Sequence, residues 1–273
     1  MISKKRQSKI ILTIASTIIA LIWLSPFYLM IVNAFKSKFE IFSNVLSLPS
    51  EWKFDNFVQA FIDLDFLNAL TNSFIVTFLS VLIIIVFSSM AAYALARNKS
   101  RLSGVFFLVF VSAMLIPFQS VMIPLISIFG RMELLNTSGL IFMYLGFGSS
   151  LSIFLYHGAV KGIPVSLDEA AMIDGASRWR IFWTIIFPML KPITVTVMIL
   201  NVIWIWNDYL LPSLVLSQKN ATIPLRMFFF FGQYTKQWHL ALAGLTLAII
   251  PVIVLYFFAQ KHIIEGVAEG AIK

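Results

Sequence analysis

The sequence contains no cysteine and only three histidines, which lie far apart along its 273 residues. The absence of cysteine excludes disulfides and thiolate metal sites, and the histidines show no metal-ligand spacing. The sequence also lacks the Gly-x-x-x-x-Gly-Lys-Ser/Thr pattern of a P-loop, the loop that holds ATP phosphates. We therefore expect no metal and no cofactor bound by this chain.

Charged residues are scarce as well, at 12% of the chain, whereas 60% of the residues are apolar and the mean hydropathy is +0.92. Soluble domains are close to half apolar and about a quarter charged. The composition therefore predicts a polytopic membrane protein. The net charge of +8 comes without long basic runs or interleaved aromatic and basic residues, so no nucleic-acid partner is predicted.

Six apolar stretches are long enough to cross a bilayer, since a membrane-spanning helix needs about 20 residues. They cover residues 10–32, 70–96, 104–128, 138–160, 185–212 and 239–261. Each must be helical because lipid offers no partners to free backbone groups. The predicted fold class is therefore all-α, with six transmembrane helices. The first stretch exceeds the apolar core of a cleaved signal peptide and is expected to be a retained helix.

The basic residues predict the orientation of these helices. If the N-terminus is cytoplasmic, the inner segments hold 13 Lys and Arg with 5 acids, and the outer segments hold 7 with 7 acids. The whole excess of positive charge then faces the cytosol, and both termini are cytoplasmic. We expect a multi-pass cell-membrane protein with an N-terminal helix and outer segment (1–69), a transmembrane core (70–262) and a cytoplasmic tail (263–273).

A polar insert at residues 161–188 interrupts the apolar core and is predicted to be cytosolic. Pro164 ends the preceding helix, and Ser166 precedes Glu169 by the three residues of a capping box. Asp168 and Glu169 suit the positive N-terminal end of a short helix. The insert could dock on a cytosolic partner or rest on lipid as an amphipathic helix.

Beyond this short helix, Gly175 permits a turn at positive φ. One face of the helix is expected to carry Leu167, Ala170, Ala171 and Asp174. A second helix through Arg178 then runs toward the membrane near Pro188. Such a pair, joined rigidly to a membrane-spanning helix, would pass motion between a cytosolic partner and the membrane.

The insert resembles the EAA loop of binding-protein-dependent ABC importer permeases. The match is Glu169-Ala170-Ala171, three residues, Gly175, nine residues, Ile185, one residue and Phe187-Pro188. The family pattern ends in Leu-Pro, so Phe187 is one apolar departure. Residues 33–36, residues 206–212 and the glycine-bearing C-terminal tail resemble the carbohydrate branch of the family, in particular the smaller permease of maltose-type transporters. The similarity covers residues 1–273.

The resemblance implies several partners: a second homologous permease, two cytoplasmic ATPase subunits that use ATP and magnesium, an extracellular solute-binding protein, the lipid bilayer and a sugar substrate. Closure of the ATPases would switch the permease between inward- and outward-facing states. Glu169 would be the anionic contact to the ATPase, Gly175 the turn, and residues 262–273 would enter between the ATPases. The implied coupling residues are Ser166, Asp168, Glu169, Ala170, Ala171, Asp174, Gly175, Arg178 and Pro188.

A second candidate site lies near the outer end of the fifth stretch. Carboxylates, amides and aromatic faces commonly hold sugars, so a translocation path lined by Gln119, Trp204, Asn207, Asp208 and Tyr209 is one interpretation. The alternative for Asp208 is an interfacial helix end beside an aromatic belt. Pro117 and Pro124 predict a kink in the third stretch. Asn201 and the serines at 149, 150 and 152 are expected to serve helix packing.

The outer segment 213–238 has two interpretations, as a contact for the binding protein or as a loop lying on the membrane surface. The residues expected to make that contact are Phe229, Phe230, Gly232 and Gln233. Two rival functions are a secondary carrier or channel, which needs no ATPase, and a membrane enzyme acting on lipid-linked sugars. A secondary carrier would show an inverted repeat. A membrane enzyme would need acidic or histidine catalysts, and the best set in the sequence, Asp63, Asp65 and Asp208, is weak.

Overall fold

The computed structural model describes residues 4–230 and 237–271, and within them all regular structure is helical. The chain forms two compact units. One comprises the chain up to Leu67 together with Met227–Val254, and the other comprises Asn68–Arg226 with the chain from Leu255 onward. The all-helical prediction is confirmed for the described residues.

The first unit contains α1 (Lys4–Ala34), α2 (Lys38–Ser43) and α3 (Asp55–Asp63). Within this chain, residues 9–28 of α1 are exposed along their whole length. Only the last turn is buried. The apolar surface that the described residues leave open on α1 is suited to lipid or to another protein.

The segment after α1 is held by buried polar groups. Lys36 is 0% exposed, and its ammonium donates to the carbonyl of Asn44 at 2.8 Å. The side-chain amide of Asn56 donates to the carbonyls of Ala34 and Lys36 at 2.8 and 2.9 Å. Buried polar groups need such partners. This segment therefore folds back on the end of α1.

The second unit contains most of the remaining helices. They are α4 (Phe66–Arg97), α5 (Arg101–Ala113), α6 (Phe118–Arg131), α7 (Thr137–Gly162), α8 (Ser166–Ile173), α9 (Arg178–Ile181), α10 (Phe187–Met189), α11 (Lys191–Asn207), α12 (Leu210–Val215) and α13 (Ile223–Phe230), of which α4 and α13 extend into the first unit. A π-helical turn, Phe182–Ile186, joins α9 to α10, and a 3₁₀ turn covers Gln218–Asn220. The last helix, α14 (Trp238–Ala271), has residues in both units.

The described residues contain three helices that are long and apolar enough to cross a membrane: Lys9–Ala34 of α1, α4 and α7. The pair α5 and α6 and the pair Arg178–Met189 and α11 bring the total to five if each counts as one span. The chain is therefore a multi-pass membrane protein by length and composition. The prediction of six spans stays a prediction.

Two of the predicted stretches are not continuous helices. The third is bent by 103° between α5 and α6, where Pro117 adopts extended backbone at the start of α6. Proline donates no backbone hydrogen bond and disfavours a helical residue before it. The predicted kink is thus confirmed at Pro117, whereas Pro124 lies inside α6.

The fifth stretch begins later and ends earlier than predicted. The chain turns by 77° at Leu190, so the spanning helix starts at Lys191, and it ends at Asn207 before extended Asp208. Pro192 occupies the first turn of α11, where a missing N–H is tolerated. The second helix of the polar insert is therefore not continuous with the spanning helix, because this bend separates them. The rigid joint expected between them stays a prediction.

Helices α4, α7 and α11 approach closely where α7 carries Gly148. A Cβ atom there would lie 2.5 Å from the Ile84 side chain and 2.7 Å from the Asn201 amide oxygen. The Asn201 amide donates to the Ser152 hydroxyl at 3.1 Å and to the Val197 carbonyl at 2.8 Å. The predicted packing role of Asn201 and Ser152 is confirmed, since small and polar residues join helices in lipid.

Candidate functional site

The polar insert forms a helical hairpin, here called the α8 hairpin and defined as residues 164–190. Its first helix begins one residue earlier than the predicted capping box requires. Val165 caps α8 through its backbone, and the Glu169 N–H donates to the Val165 carbonyl at 3.1 Å. The amide that the Ser166 hydroxyl was expected to bind is thereby already satisfied. The capping box is therefore wrong, although Asp168 and Glu169 do lie in the first turn.

Gly175 makes the predicted turn between the two limbs of the hairpin. Its φ is +79°, in the left-handed region that favours glycine, and no atom lies within 4 Å of the place a Cβ would occupy. The N–H groups of Gly175 and Ala176 donate to the carbonyls of Met172 and Ala171, both at 3.0 Å. Backbone conformation, not lack of space, therefore requires glycine at this position.

Most of the surface of α8 is open. Only Asp168 and Ala171 are buried among its eight residues. The exposed residues include Glu169 and Ala170, and the side chain of Ile173 is 87% exposed at the tip of the hairpin. Leu167 and Met172 are exposed on the same helix, so α8 presents more than one apolar side chain on its surface. The predicted shared face is therefore split, since Ala171 faces inward while Leu167, Ala170 and Asp174 are exposed.

Asp168 points into the protein, not outward with Glu169. It is 4% exposed, and the Tyr93 hydroxyl donates to its Oδ1 at 2.6 Å. The Arg97 Nη2 lies 2.9 Å from its Oδ2. The two neighbouring acids thus have different surroundings, and only Glu169 is available to another molecule.

Arg97 joins three helices at once. Its Nη1 donates to the Val160 carbonyl at 3.3 Å and its Nη2 to the Ile163 carbonyl at 3.1 Å, at the end of α7. The N–H bonds are aimed at these carbonyls, so the contact with Asp168 is a close ion pair more than an aligned hydrogen bond. The guanidinium also lies 6.0 Å from the Tyr93 ring centroid. We call Tyr93, Arg97 and Asp168 the α8 clamp.

The α8 clamp has almost no signal in the sequence. The available signal was a tyrosine and an arginine spaced four residues apart, which places Tyr93 and Arg97 on one face at the end of α4. Nothing in that spacing indicates that their partner lies in α8, since Asp168 is 75 residues from Tyr93 along the chain.

A cavity of about 430 Å³ lies between α8 and α4. Clamp residues form part of its wall, as do side chains of both limbs of the hairpin. Its lining residues are Met90, Tyr93, Ala94, Arg97, Asn98, Val165, Asp168, Glu169, Met172, Arg178, Trp179, Ile181 and Phe182. The packing of α8 on α4 is therefore incomplete. Pro188 lies in α10, at the far end of the hairpin.

The second candidate site surrounds the end of α11. The Tyr144 hydroxyl donates to the Asp208 Oδ2 at 2.8 Å, and the Asp208 Oδ1 accepts from the Leu210 N–H at 2.9 Å. The Trp204 ring stands edge-on to Tyr144 at 5.4 Å. Asp208 therefore has a partner within the chain for each oxygen, and it orders the break between α11 and α12.

The other predicted path residues are exposed. Asn207 donates to the Ile203 carbonyl at 2.7 Å, Tyr209 is exposed beside it, and Gln119 lies in the first turn of α6. The predicted binding-protein residues Phe229 and Phe230 end α13, and nothing is described of their side chains. Gly232 and Gln233 lie outside the described residues. Within the described residues, no group of three metal-ligating side chains forms a metal site.

Several long apolar helices, together with an exposed polar hairpin, define a multi-pass membrane protein. Residues 84–269 match the family model described as binding-protein-dependent transport system inner membrane component. The chain belongs to this family, and the resemblance predicted from the insert is confirmed. It is a membrane permease component, not an enzyme.

Relatives match almost the whole chain. The probable starch degradation products transport system permease protein AmyC of Thermoanaerobacterium thermosulfurigenes is 54% identical and covers 99% of both chains. The melibiose/raffinose/stachyose import permease protein MelC of Bacillus subtilis is 36% identical over 98% of both. The multiple sugar-binding transport system permease protein MsmG of Streptococcus mutans is 35% identical over 97% of this chain and 95% of that protein.

Solved structures share the fold. A bacterial ABC transporter that imports the acidic polysaccharide alginate superimposes with a TM-score of 0.79 at 25% identity, over 96% of this chain and 98% of that one. A second alginate transporter structure, with a TM-score of 0.68 at 17% identity over 94% and 95%, supports the fold alone.

Proposed function

We propose that this chain is a permease subunit of an ATP-driven importer of oligosaccharides. The relatives AmyC, MelC and MsmG are named for starch degradation products, for melibiose, raffinose and stachyose, and for multiple sugars. The family description makes a solute-binding protein the delivering partner. A second homologous permease and two ATPase subunits complete the transporter, and those ATPases use the ATP and magnesium.

The proposed topology has six spans with both termini cytoplasmic. The Trp238–Val254 part of α14 is an apolar helix, and it would supply the last crossing. This orientation places the α8 hairpin in the cytosol with the excess of basic residues, as the positive-inside rule requires.

The exposed surface of α8 is the observation that carries the coupling role. Ile173 is 87% exposed at the tip, and Met172 and Leu167 are exposed with it. Apolar anchors of this kind bury themselves in a partner's pocket, whereas charged residues at the rim guide the encounter. Glu169 would supply the anionic contact, and Asp174, Ala170 and Arg178 would lie at the edge of the interface. ATP-driven closure of the partner would then move α8 and switch the permease between inward- and outward-facing states.

For the translocation path, we propose that the exposed side chains Trp204, Asn207, Tyr209 and Gln119 contact sugar. Aromatic faces and amides suit that ligand, and these four are accessible. Asp208 would act indirectly, since both of its oxygens have partners within the chain. The outer segment 213–238, with Phe229, Phe230, Gly232 and Gln233, would face the binding protein.

Purification of the transporter through this chain in mild detergent, with mass identification of its subunits, tests the proposal. We expect a second permease and two ATPase copies with the wild type.

Glu169→Lys should lose the ATPase and sugar uptake but keep the second permease. The matched control is Glu51→Lys, an exposed charge reversal in the outer segment, which should keep the ATPase. Normal ATPase retention and uptake in Glu169→Lys would refute the docking role, and uptake by the isolated chain in vesicles would refute the importer.

A further inference from the structure

Helix α8 is attached to the rest of its unit by very few side chains. Six of its eight residues are exposed, and of the two buried residues Ala171 contributes only a methyl group. The other buried residue, Asp168, makes the ion pair and the hydrogen bond of the α8 clamp. The cavity of about 430 Å³ beside α8 further limits its apolar contacts. The clamp is therefore the main lateral attachment of α8.

The covalent route from α8 forward to α11 is bent twice, whereas residues 163–165 join α8 backward to the end of α7. It passes the left-handed turn at Gly175 and then α9, the π-helical turn and α10 before the 77° bend at Leu190. The turn at Gly175 and the bend at Leu190 interrupt the helical rod. The π-helical turn lies between them, and such turns are frequent at functional sites. A force applied at Ile173 would be poorly transmitted to α11 by this route alone.

The α8 clamp offers a direct route. Arg97 is the last residue of α4, and it donates to the carbonyls of Val160 and Ile163 at the end of α7 while it pairs with Asp168 of α8. The planar guanidinium reaches two carbonyls and a carboxylate together because its donors lie in a rigid fork. The side chains of Arg97 and Asp168 are only 14% and 6% exposed, so water screens the pair weakly.

We propose that Arg97 and Asp168 are positioning residues that make α8 move as one body with the ends of α4 and α7. This inference rests on the proposed coupling function and adds its mechanical linkage. Without the clamp, closure of the ATPase would tilt α8 toward the adjacent cavity instead of moving the two spanning helices. ATP would then be hydrolysed with little transport.

The first test measures sugar uptake per ATP hydrolysed by the complete transporter in proteoliposomes with its binding protein. Arg97→Lys keeps the positive charge but cannot reach both carbonyls, and Asp168→Asn removes the negative charge. We expect uptake per ATP to fall by about 5- to 150-fold in both, the size of a typical coupling free energy between two binding sites, with the ATPase retained. Asp168→Glu keeps the charge and should recover part of the ratio. The matched control is Arg101→Lys, an exposed arginine four residues from Arg97, which should leave the ratio unchanged.

A second measurement separates positioning from a loss of structure. Because the chain has no cysteine, Lys99→Cys and Ser166→Cys, at exposed positions after α4 and at the start of α8, can carry the only two spin labels on it. In the wild-type background, we expect one narrow distance both with and without ATP trapped on the transporter. With Asp168→Asn, the distance should broaden or shift when ATP is trapped.

The outcomes distinguish this inference from the proposed function. A wild-type preparation that holds no ATPase would overturn the proposed function. Retained ATPase with an unchanged transport ratio and an unchanged label distance in Arg97→Lys and Asp168→Asn would overturn the clamp alone. A clamp variant that fails to assemble with the second permease would show that the pair serves folding, and this too would overturn the positioning role.

Discussion

The two ends of the second unit each contain an aspartate that accepts a hydrogen bond from a tyrosine, but the two pairs have different structural roles. Asp168 accepts from Tyr93 at 2.6 Å and also pairs with Arg97 at 2.9 Å. Asp208 accepts from Tyr144 at 2.8 Å and from the backbone of Leu210 at 2.9 Å. The first carboxylate faces a cation, whereas its counterpart is held by neutral donors.

The difference shows how one residue type either joins helices or ends one. Asp168 brings a short, exposed helix against the ends of two long ones, and its burial is tolerated because Arg97 balances its charge. Asp208 satisfies the first amide after a helix break, as an aspartate commonly does at a turn. Losing the carboxylate charge should therefore matter far more at Asp168 than at Asp208.

The largest effect is expected when Arg97 is removed. Arg97→Leu leaves the Asp168 carboxylate buried without its cation, and breaking a buried pair in this way costs about 3–5 kcal/mol. The free energy of unfolding of the purified chain in bicelles, followed by circular dichroism, measures this loss. The double variant Arg97→Leu with Asp168→Leu should lose less than the sum of the two single changes, because neither charge is then left alone. Additive losses would contradict a direct pairing.

An intermediate effect is expected at Gly175. The hairpin turns there through a residue at positive φ, whereas the break between α11 and α12 contains no such residue. Gly175→Ala should cost about 1–2 kcal/mol, since a Cβ is disfavoured at positive φ even where space is open. Gly158 is the matched control, because it lies inside α7 and also has no atom within 4 Å of a Cβ position. Gly158→Ala should be neutral or stabilising. Equal losses of unfolding free energy at the two glycines would refute the requirement for a residue at positive φ at position 175.

The smallest effect is expected at Asp208. Asp208→Asn keeps an oxygen that accepts a hydrogen bond but loses the second acceptor, so the expected loss of unfolding free energy is about 1 kcal/mol. Tyr144→Phe removes the matching donor and should cost a similar amount. Sugar uptake should change only modestly in either variant. If Asp208→Asn lowered the free energy of unfolding as much as Asp168→Asn does, the distinction between the two sites would be wrong.

Features that depend on local backbone chemistry could be predicted from the sequence. Gly175 was expected to turn at positive φ, and Pro117 to bend the third stretch, because glycine tolerates positive φ and proline restricts φ whatever surrounds them. The capping box was also a local prediction, and it was wrong. It required Ser166 to be the cap before the helix, but Ser166 is the first residue of α8. This shift of one residue decides which amide needs a cap.

The membrane class and the family were determined by the sequence alone, because the apolar content and the spacing around Glu169 and Gly175 are properties of the residue order and do not depend on tertiary contacts. The tertiary structure decided which of two adjacent acids faces outward. Helical periodicity places Asp168 and Glu169 about 100° apart, but only the arrival of Tyr93 and Arg97 from a distant helix makes burial of one carboxylate favourable. That pairing is a long-range contact, and no local pattern specifies it.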